Sequence, residues 1–404
     1  MRGPGALLPA PFPAMDICIE TSLENIRPEE WDALGGDADP FLAHAFLVGL
    51  ERHGCVGETF GWYPHHLLIR DEAKRLIGAM PMYLKTNSYG ELVFDWSWAS
   101  AYERAGRRYY PKLVVGIPYT PITGRRLLCA ADVDTVTVKN ALIQSAIKLA
   151  ADNGLSSIHW LFLNAEDRAH LKDNGMLLRR DCQYHWHNRG YADFEAFVGD
   201  FSSRKRKKVN RERRRVEEQG IELKTLHGDE IDADGWAMFH RFYVETFEKN
   251  AGIPTLTLPF FEEIGARLAD RIVMVVAEHD GRPVAAALNF RNDEALFGRY
   301  WGCDRDFHSL HFEACYYQGI DYCIEHGLDR FEPGAQGEHK IARGFLPTTT
   351  WSAHWIGDEE FRAVIDTFCR RERHFMAQRC QELMSWSPFR EGIDVQPTID
   401  ADDN

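Results

Sequence analysis

Near the C-terminal end, the stretch GAQGEHKIARGF, Gly334 to Phe345, sets glycines beside a glutamate, a histidine, a lysine and an arginine. It follows the apolar LDRF and leads into the strand-like TTTWSAHWIG. This mixture offers fixed cations, which suit an anion or a developing oxyanion, beside groups able to accept a proton. Lys340 supplies a cation for that oxyanion or for a phosphate, and Arg343 a second, bidentate anion clamp. Glu332, Glu338 and His339 are the candidate catalytic proton acceptors. No covalent nucleophile is required, and the chain carries no G-x-S-x-G, no H-E-x-x-H, no Walker loop and no cysteines and histidines at zinc spacing. No metal site is expected. His185 and His187 flank Trp186 and read as half-exposed strand positions.

Three further groups belong on the list of functional candidates. The segment YYPKLVVGIPYTPITGRRLL, rich in proline and aromatics, reads as a loop that builds a binding wall, with Tyr109, Tyr110, Lys112, Tyr119, Thr120 and Arg125 as its polar side chains. Arg299 interrupts the apolar strand EALFGRYW and must find either a buried acid or a ligand; Asp95, in VFDWSWAS, is expected to be paired. Between Arg204 and Arg215, RKRKKVNRERRR holds nine basic residues and one acid. Ser202 or Ser203 before it and Gly220 after it are cap signals, so a helix over 203–219 is predicted. On that helix Arg204, Lys208, Arg211 and Arg215 share one face and form a candidate anion-binding stripe.

The elements that must hold these groups occur twice. The first half reads as strand DICIE, helices EEWDAL and HAFLVGLERHG, strands HHLLIRDE, RLIGAMPMYLK and ELVFDWSWAS, helix VKNALIQSAIKLAADNG and strand SSIHWLFL. The second half repeats the order: strand IELKTLH, helices WAMFHRFYVETFEKN and PFFEEIGARLAD, strands RIVMVVAEHD, RPVAAALNFR and EALFGRYWGC, helix FEACYYQGIDYCIEHG and strand LDRFEP. Two similar α/β units in tandem follow from this repetition. With 404 residues, of which 45% are hydrophobic and 12% aromatic, there is ample core for both. A net charge of -14 repels nucleic acid and anionic membrane everywhere except at the basic helix. The nine cysteines show no C-x-x-C pair and read as reduced thiols in a cytoplasm. No apolar run reaches the ~18 residues of a spanning helix, so no integral membrane contact is expected. Residues 1–16 read as a flexible leader within which Met15 is a second possible start, and 391–404 as an acidic tail.

The order strand, two helices, three strands, helix, strand resembles the GNAT acyltransferase fold. Duplicated units joined by a basic helix resemble the Fem-like predicted N-acyltransferases, on the strength of RRYYPKLVVGIPYTPITGRRLL, FSSRKRKKVNRERRRVEEQG and FEPGAQGEHKIARGFLPTTTWSAHWI. The resemblance implies two tandem GNAT-like units of mixed sheets flanked by helices, over 17–190 and 191–390, the second including the basic helix. It implies a peptidoglycan-related N-acyltransferase that moves an acyl or aminoacyl group to a small-molecule or peptide amine acceptor. The co-substrate is then acyl-CoA or aminoacyl-tRNA, with tRNA as a possible partner and no tightly bound cofactor. In Fem-type enzymes a lysine of the matching late motif lies against the substrate, and Lys340 fits it. The Gly-rich pyrophosphate turn of acetyl-CoA users has no counterpart in CDRDFHSLHFEA or LLCAADVDTVTV. The alternative is a non-catalytic GNAT-fold protein that binds RNA or anionic lipid through the basic helix.

Overall fold

The structure, a computed structural model, describes residues 15–36 and 38–398. The predicted leader lies outside these but for its last two residues, and so does the end of the predicted acidic tail. The first half supplies β1 (Asp16–Glu20), β2 (Trp62–Pro64), β3 (His66–Arg70), β4 (Leu76–Met80), β5 (Met82–Lys85), β6 (Lys112–Val115), β7 (Leu128–Cys129), β8 (Ser157–Trp160) and β9 (Leu177–His187). The second supplies β10 (Ile221–His227), β11 (Ile272–His279), β12 (Arg282–Arg291), β13 (Ala295–Cys303), β14 (Arg330–Glu332) and β15 (Leu346–Ile356). A four-stranded sheet runs β1-β3-β4-β7, and an eleven-stranded one runs β10-β11-β12-β13-β14-β9-β15-β8-β6-β5-β2. Pro81 separates β4 from β5, as expected for a residue that cannot donate to a ladder, and the chain passes there from one sheet to the other. These are mixed sheets flanked by helices, in two GNAT-like units.

Each half contains one parallel pair, β6 with β8 and β13 with β14. The strand that follows crosses over. β9 pairs antiparallel with β14, whereas β15 pairs antiparallel with β8 and, over nine residue pairs, with β9. The two halves therefore share both a sheet and a core: Phe41 of the first lies 5.0 Å from Phe290 and 5.5 Å from Phe297 of the second, and Phe46 lies 5.5 Å from Phe260. No helix among the described residues is long and apolar enough to cross a membrane.

Two expectations from local pattern are corrected. ELVFDWSWAS is not a strand: Trp96–Arg104 is helical, with Trp98 and Tyr102, four residues apart, buried on one face. The third meander strand is β6, KLVV, inside the segment expected to be a loop, and all four of its residues are buried. A short apolar run bounded by proline and glycine is a fully buried strand here, and the aromatic alternation of VFDWSW misled because its apolar residues also fit a helical stripe. Elsewhere the repeat holds: β4 and β5 correspond to β12, and the helix Thr135–Asp152 with β8 corresponds to Gln318–Glu325 with β14.

Candidate active site

β13 and β14 run parallel only as far as Phe297 and Glu332, and then part. The side of the gap nearest the late motif holds a cavity of about 320 Å³, lined by Asn289, Gly298, Arg299 to Trp301, His311, Cys315, Tyr316, Pro333 to Gln336, His339 and Lys340. It adjoins a cleft of about 1090 Å³ walled by both halves, and the two share Arg299, Tyr300, Trp301, Gly334, Ala335 and Gln336. Gly334 and Gly337 turn the chain here at φ of 95° and 110°, and a Cβ on Gly337 would lie 2.5 Å from the His339 ring. An open sheet that splays at parallel strand ends is a natural ligand site.

Lys340 stands in the smaller cavity at 3% exposure. Its Nζ donates to the Gly334 carbonyl at 2.7 Å, and among the described residues no carboxylate lies within ion-pair distance. Burial brings its ammonium down to about 8. His339 lines the same cavity and shares a 2.9 Å hydrogen bond with the Tyr316 hydroxyl; burial, then the charges of Arg343 and Lys340, lower its pKa. Arg299 lies between the two cavities. One arm donates to the Tyr119 carbonyl, its Nε is buried without a hydrogen-bond partner, and it has no acid partner among the described residues.

The remaining late-motif groups face elsewhere. Glu338 is exposed and pairs with Arg379 at 2.7 Å on the long helix Glu359–Leu383. Glu332 is buried under the strand ends with Arg330 at 2.9 Å, and burial raises its pKa. Arg343 packs over the Phe312 ring and donates at 3.0 Å to both carboxylate oxygens of Glu212, on the buried face of the helix Ser203–Glu218.

Of the Pro-rich segment, Tyr119 lines the large cleft while its hydroxyl donates to the Cys55 carbonyl at 2.7 Å. Thr120 is buried on the Pro118 carbonyl, and Arg125 donates to the Gly35 carbonyl. Lys112, Tyr109 and Tyr110 form a separate buried cluster. The Lys112 ammonium donates to Asp95, to Glu91 at 2.8 Å and to Ser88 at 3.0 Å; the Tyr109 hydroxyl donates to Asp95 and Tyr110 meets Ser88 at 2.7 Å. Asp95 is thus paired, as expected. Arg204, Lys208, Arg211 and Arg215 all lie exposed on the outer side of the basic helix, away from both cavities. Lys208 approaches Glu212 at 3.8 Å and Arg215 meets His308 at 3.1 Å.

Sequence reasoning placed the end of β9, QYHWH, on a strand but missed the residues it brings to the cleft. It carries Asp181, Cys182, Gln183 and Tyr184 to the wall of the large cleft, with Asp181 opposite Thr350 of β15. Asp181 is the single acid among the described residues lining that cleft, and Arg299 the single cation. Its Oδ1 accepts from the Cys182 N–H at 2.7 Å; crowding by surrounding protein raises its pKa, although the side chain meets solvent in the cleft. The available signal was an acid in the middle of the strand-like LLRRDCQYHWH. His185, expected to be half exposed, is buried: its Nε2 lies 3.2 Å from Gln183 Oε1 and 3.8 Å from Glu332, since β9 is an interior strand covered on both faces. His187 is partly exposed.

A model of the FemAB-like proteins, described as peptidoglycan biosynthesis/recognition, matches residues 22–391. The chain belongs to the FemAB-like family. Among solved structures it is similar in fold to FemX, at 12% identity, with a TM-score of 0.51 over 84% of this chain and 98% of that one. A tandem GNAT protein from the clavulanic acid biosynthesis pathway matches at 12% identity and a TM-score of 0.44 over 85% of this chain and 99% of that one. The C-terminal domain of a putative lysylphosphatidylglycerol synthetase from Agrobacterium fabrum matches at 8% identity and a TM-score of 0.49 over 84% and 95%. No curated protein matches the chain. The FemAB-like membership thus rests on the sequence of nearly the whole chain, and the likeness to FemX supports the fold.

Proposed function

We propose that this FemAB-like protein is an N-acyltransferase that joins an acyl or aminoacyl group to an amine held in the large cleft. The donor's activated carbonyl enters the smaller cavity beside Lys340. The amine lone pair attacks the carbonyl carbon, a C–N bond forms, and the charge on the oxygen is met by the Lys340 ammonium. The C–O bond of an aminoacyl ester, or the C–S bond of an acyl-CoA thioester, then breaks. The amine proton passes to the Asp181 carboxylate and on to the leaving alkoxide or thiolate, so charges balance. A raised carboxylate pKa suits this role, because a more basic carboxylate is the better acceptor. Asp181 thereby takes the part for which Glu332, Glu338 and His339 were the sequence candidates; His339 stands beside the donor cavity and orders it through Tyr316.

The observation that carries the reading is the junction of two cavities through shared residues, one holding a buried lysine without an acid partner and the other a single carboxylate, among the described residues. The FemAB-like membership supports a peptidoglycan-related amine acceptor, and the free cysteines agree with a cytoplasmic setting, where both donors occur. The exposed cations of the basic helix favour an aminoacyl-tRNA donor, because Arg204 and Arg211 have no acid partner among the described residues. The same stripe is what a purely RNA- or anionic-lipid-binding protein would use. Incubating the purified protein with radiolabelled acyl-CoA, and separately with charged tRNA, across an amine panel tests the proposal. Label should appear on an amine and be lost in Asp181→Asn. No labelled product from either donor, with RNA or vesicle binding intact, would leave the binding reading.

A further inference from the structure

The large cleft has a charge pattern that restricts its acceptor. Asp181 and Arg299 are the only acid and the only cation among the described residues lining about 1090 Å³. A nucleoside diphosphate or a multiply charged peptide would bring more charges than these two described residues can compensate, and desolvating an unpaired charge is costly. Arg299 can take one anionic group. Its guanidinium spends one arm on the Tyr119 carbonyl, has a buried Nε without a partner, and is paired with no carboxylate among the described residues. Much of the remaining wall is apolar, with Phe60, Leu92, Phe94, Phe247 and Ile253 lining it, and Tyr89 and Ile253, also in the lining, stand 70% exposed. So much apolar surface open to water is what a ligand's own apolar segment would cover.

We propose that the acceptor is a short peptide with a free amine, one C-terminal carboxylate and an apolar side chain, its carboxylate bound by Arg299 and its side chain against the Phe60 to Phe94 wall. This rests on the transferase reading for its chemistry but not for its binding. The cleft volume fits a short peptide better than a single amino acid, because drug-sized ligands already fill roughly 300–1,000 Å³. The amine faces Asp181, the only carboxylate among the described residues of the wall, so one acid and one cation are matched by one ammonium and one carboxylate.

Titration calorimetry on the full-length protein, with leucyl-phenylalanine, its C-terminal amide and a uridine-diphosphate-linked peptide as probes, tests the inference without any donor. The free acid should bind at least tenfold more tightly than the amide, the worth of a charge-assisted hydrogen bond. The nucleotide-linked probe should bind more weakly than the acid. Arg299→Met should shrink the acid-to-amide ratio to near one, and Arg299→Lys should keep part of it. Equal binding of acid and amide, tighter binding of the nucleotide-linked probe, or no binding of either dipeptide overturns the inference. If Arg299→Met does not fold, the acid-to-amide ratio of the unaltered protein decides alone. The expected ratio with no acyl transfer from any donor would remove the transferase reading and keep the acceptor class; transfer without the ratio would do the reverse.

Discussion

Lys112 and Lys340 are both buried lysines near a parallel strand pair, and they are opposite in character. Lys112, at 0% exposure, is pulled down by burial, but the carboxylates of Glu91 and Asp95 more than offset this and its pKa rises. It is a tied cation in a packed cluster and lines neither of the two cavities described above. Lys340 has one carbonyl for a partner and an opening before it, and burial, partly opposed by neighbouring Cys315, brings its pKa down to about 8. What separates them is the set of neighbours. A lysine with two acids is part of the scaffold, whereas one left without an acid beside a cavity keeps its charge for a ligand.

The comparison can be broken by mutation. Asp181→Asn is expected to lower kcat/KM for transfer about 10²–10⁴-fold, the usual worth of a general base, in steady-state assays. Its melting temperature should scarcely move, because the carboxylate accepts only a backbone N–H on the cleft wall. Lys340→Met should lower kcat about 10²–10³-fold, as loss of an oxyanion donor does. Its stability in urea should stay equal or rise, since an uncompensated buried charge is removed. Lys112→Met should do the opposite, destabilising the fold by about 3–5 kcal/mol by leaving Glu91 and Asp95 buried without their cation. The same response from both lysines would erase the distinction.

The pH profile sharpens it. Lys340 serves an oxyanion only when protonated, so activity should fall as pH rises through about 8. In Lys340→Arg that alkaline limb should move well above 8, because a guanidinium stays charged. The smallest effect is expected from changing Arg204, Lys208, Arg211 and Arg215 together to glutamine. The slope of log affinity for tRNA against log salt should become shallower by about 3, with stability within roughly 0.5 kcal/mol per site, by filter binding and urea unfolding.

Much of this molecule could be read from local pattern. The strands β10 to β13 and the helix Thr135–Asp152 stand where the periodicity puts them; β11 and β12 are buried over most of their length and the helix along a stripe that includes Val138, Leu142 and Ala146. Lys340 was found because the glycines around it are an audible break in an apolar region. VFDWSW and KLVV were misread because alternation and short apolar runs fit more than one element. Asp181 was missed for another reason: in LLRRDCQYHWH nothing local separates an acid facing a cleft from one facing solvent.

The sequence by itself determined the repeated α/β pattern, the basic helix and the chemical groups of the late motif, since these depend on spacing and side-chain type. Only the tertiary structure decided that Arg343 belongs to Glu212, that Lys112 is locked by Glu91 and Asp95, and that Asp181 and Arg299 meet one cleft. The meeting of Asp181 and Arg299 depends on β9 joining the sheet of the second half, and that of Arg343 and Glu212 on packing across 131 positions; even Lys112, 17 and 21 positions from its acids, is paired by the folded chain, since local periodicity encodes none of these contacts.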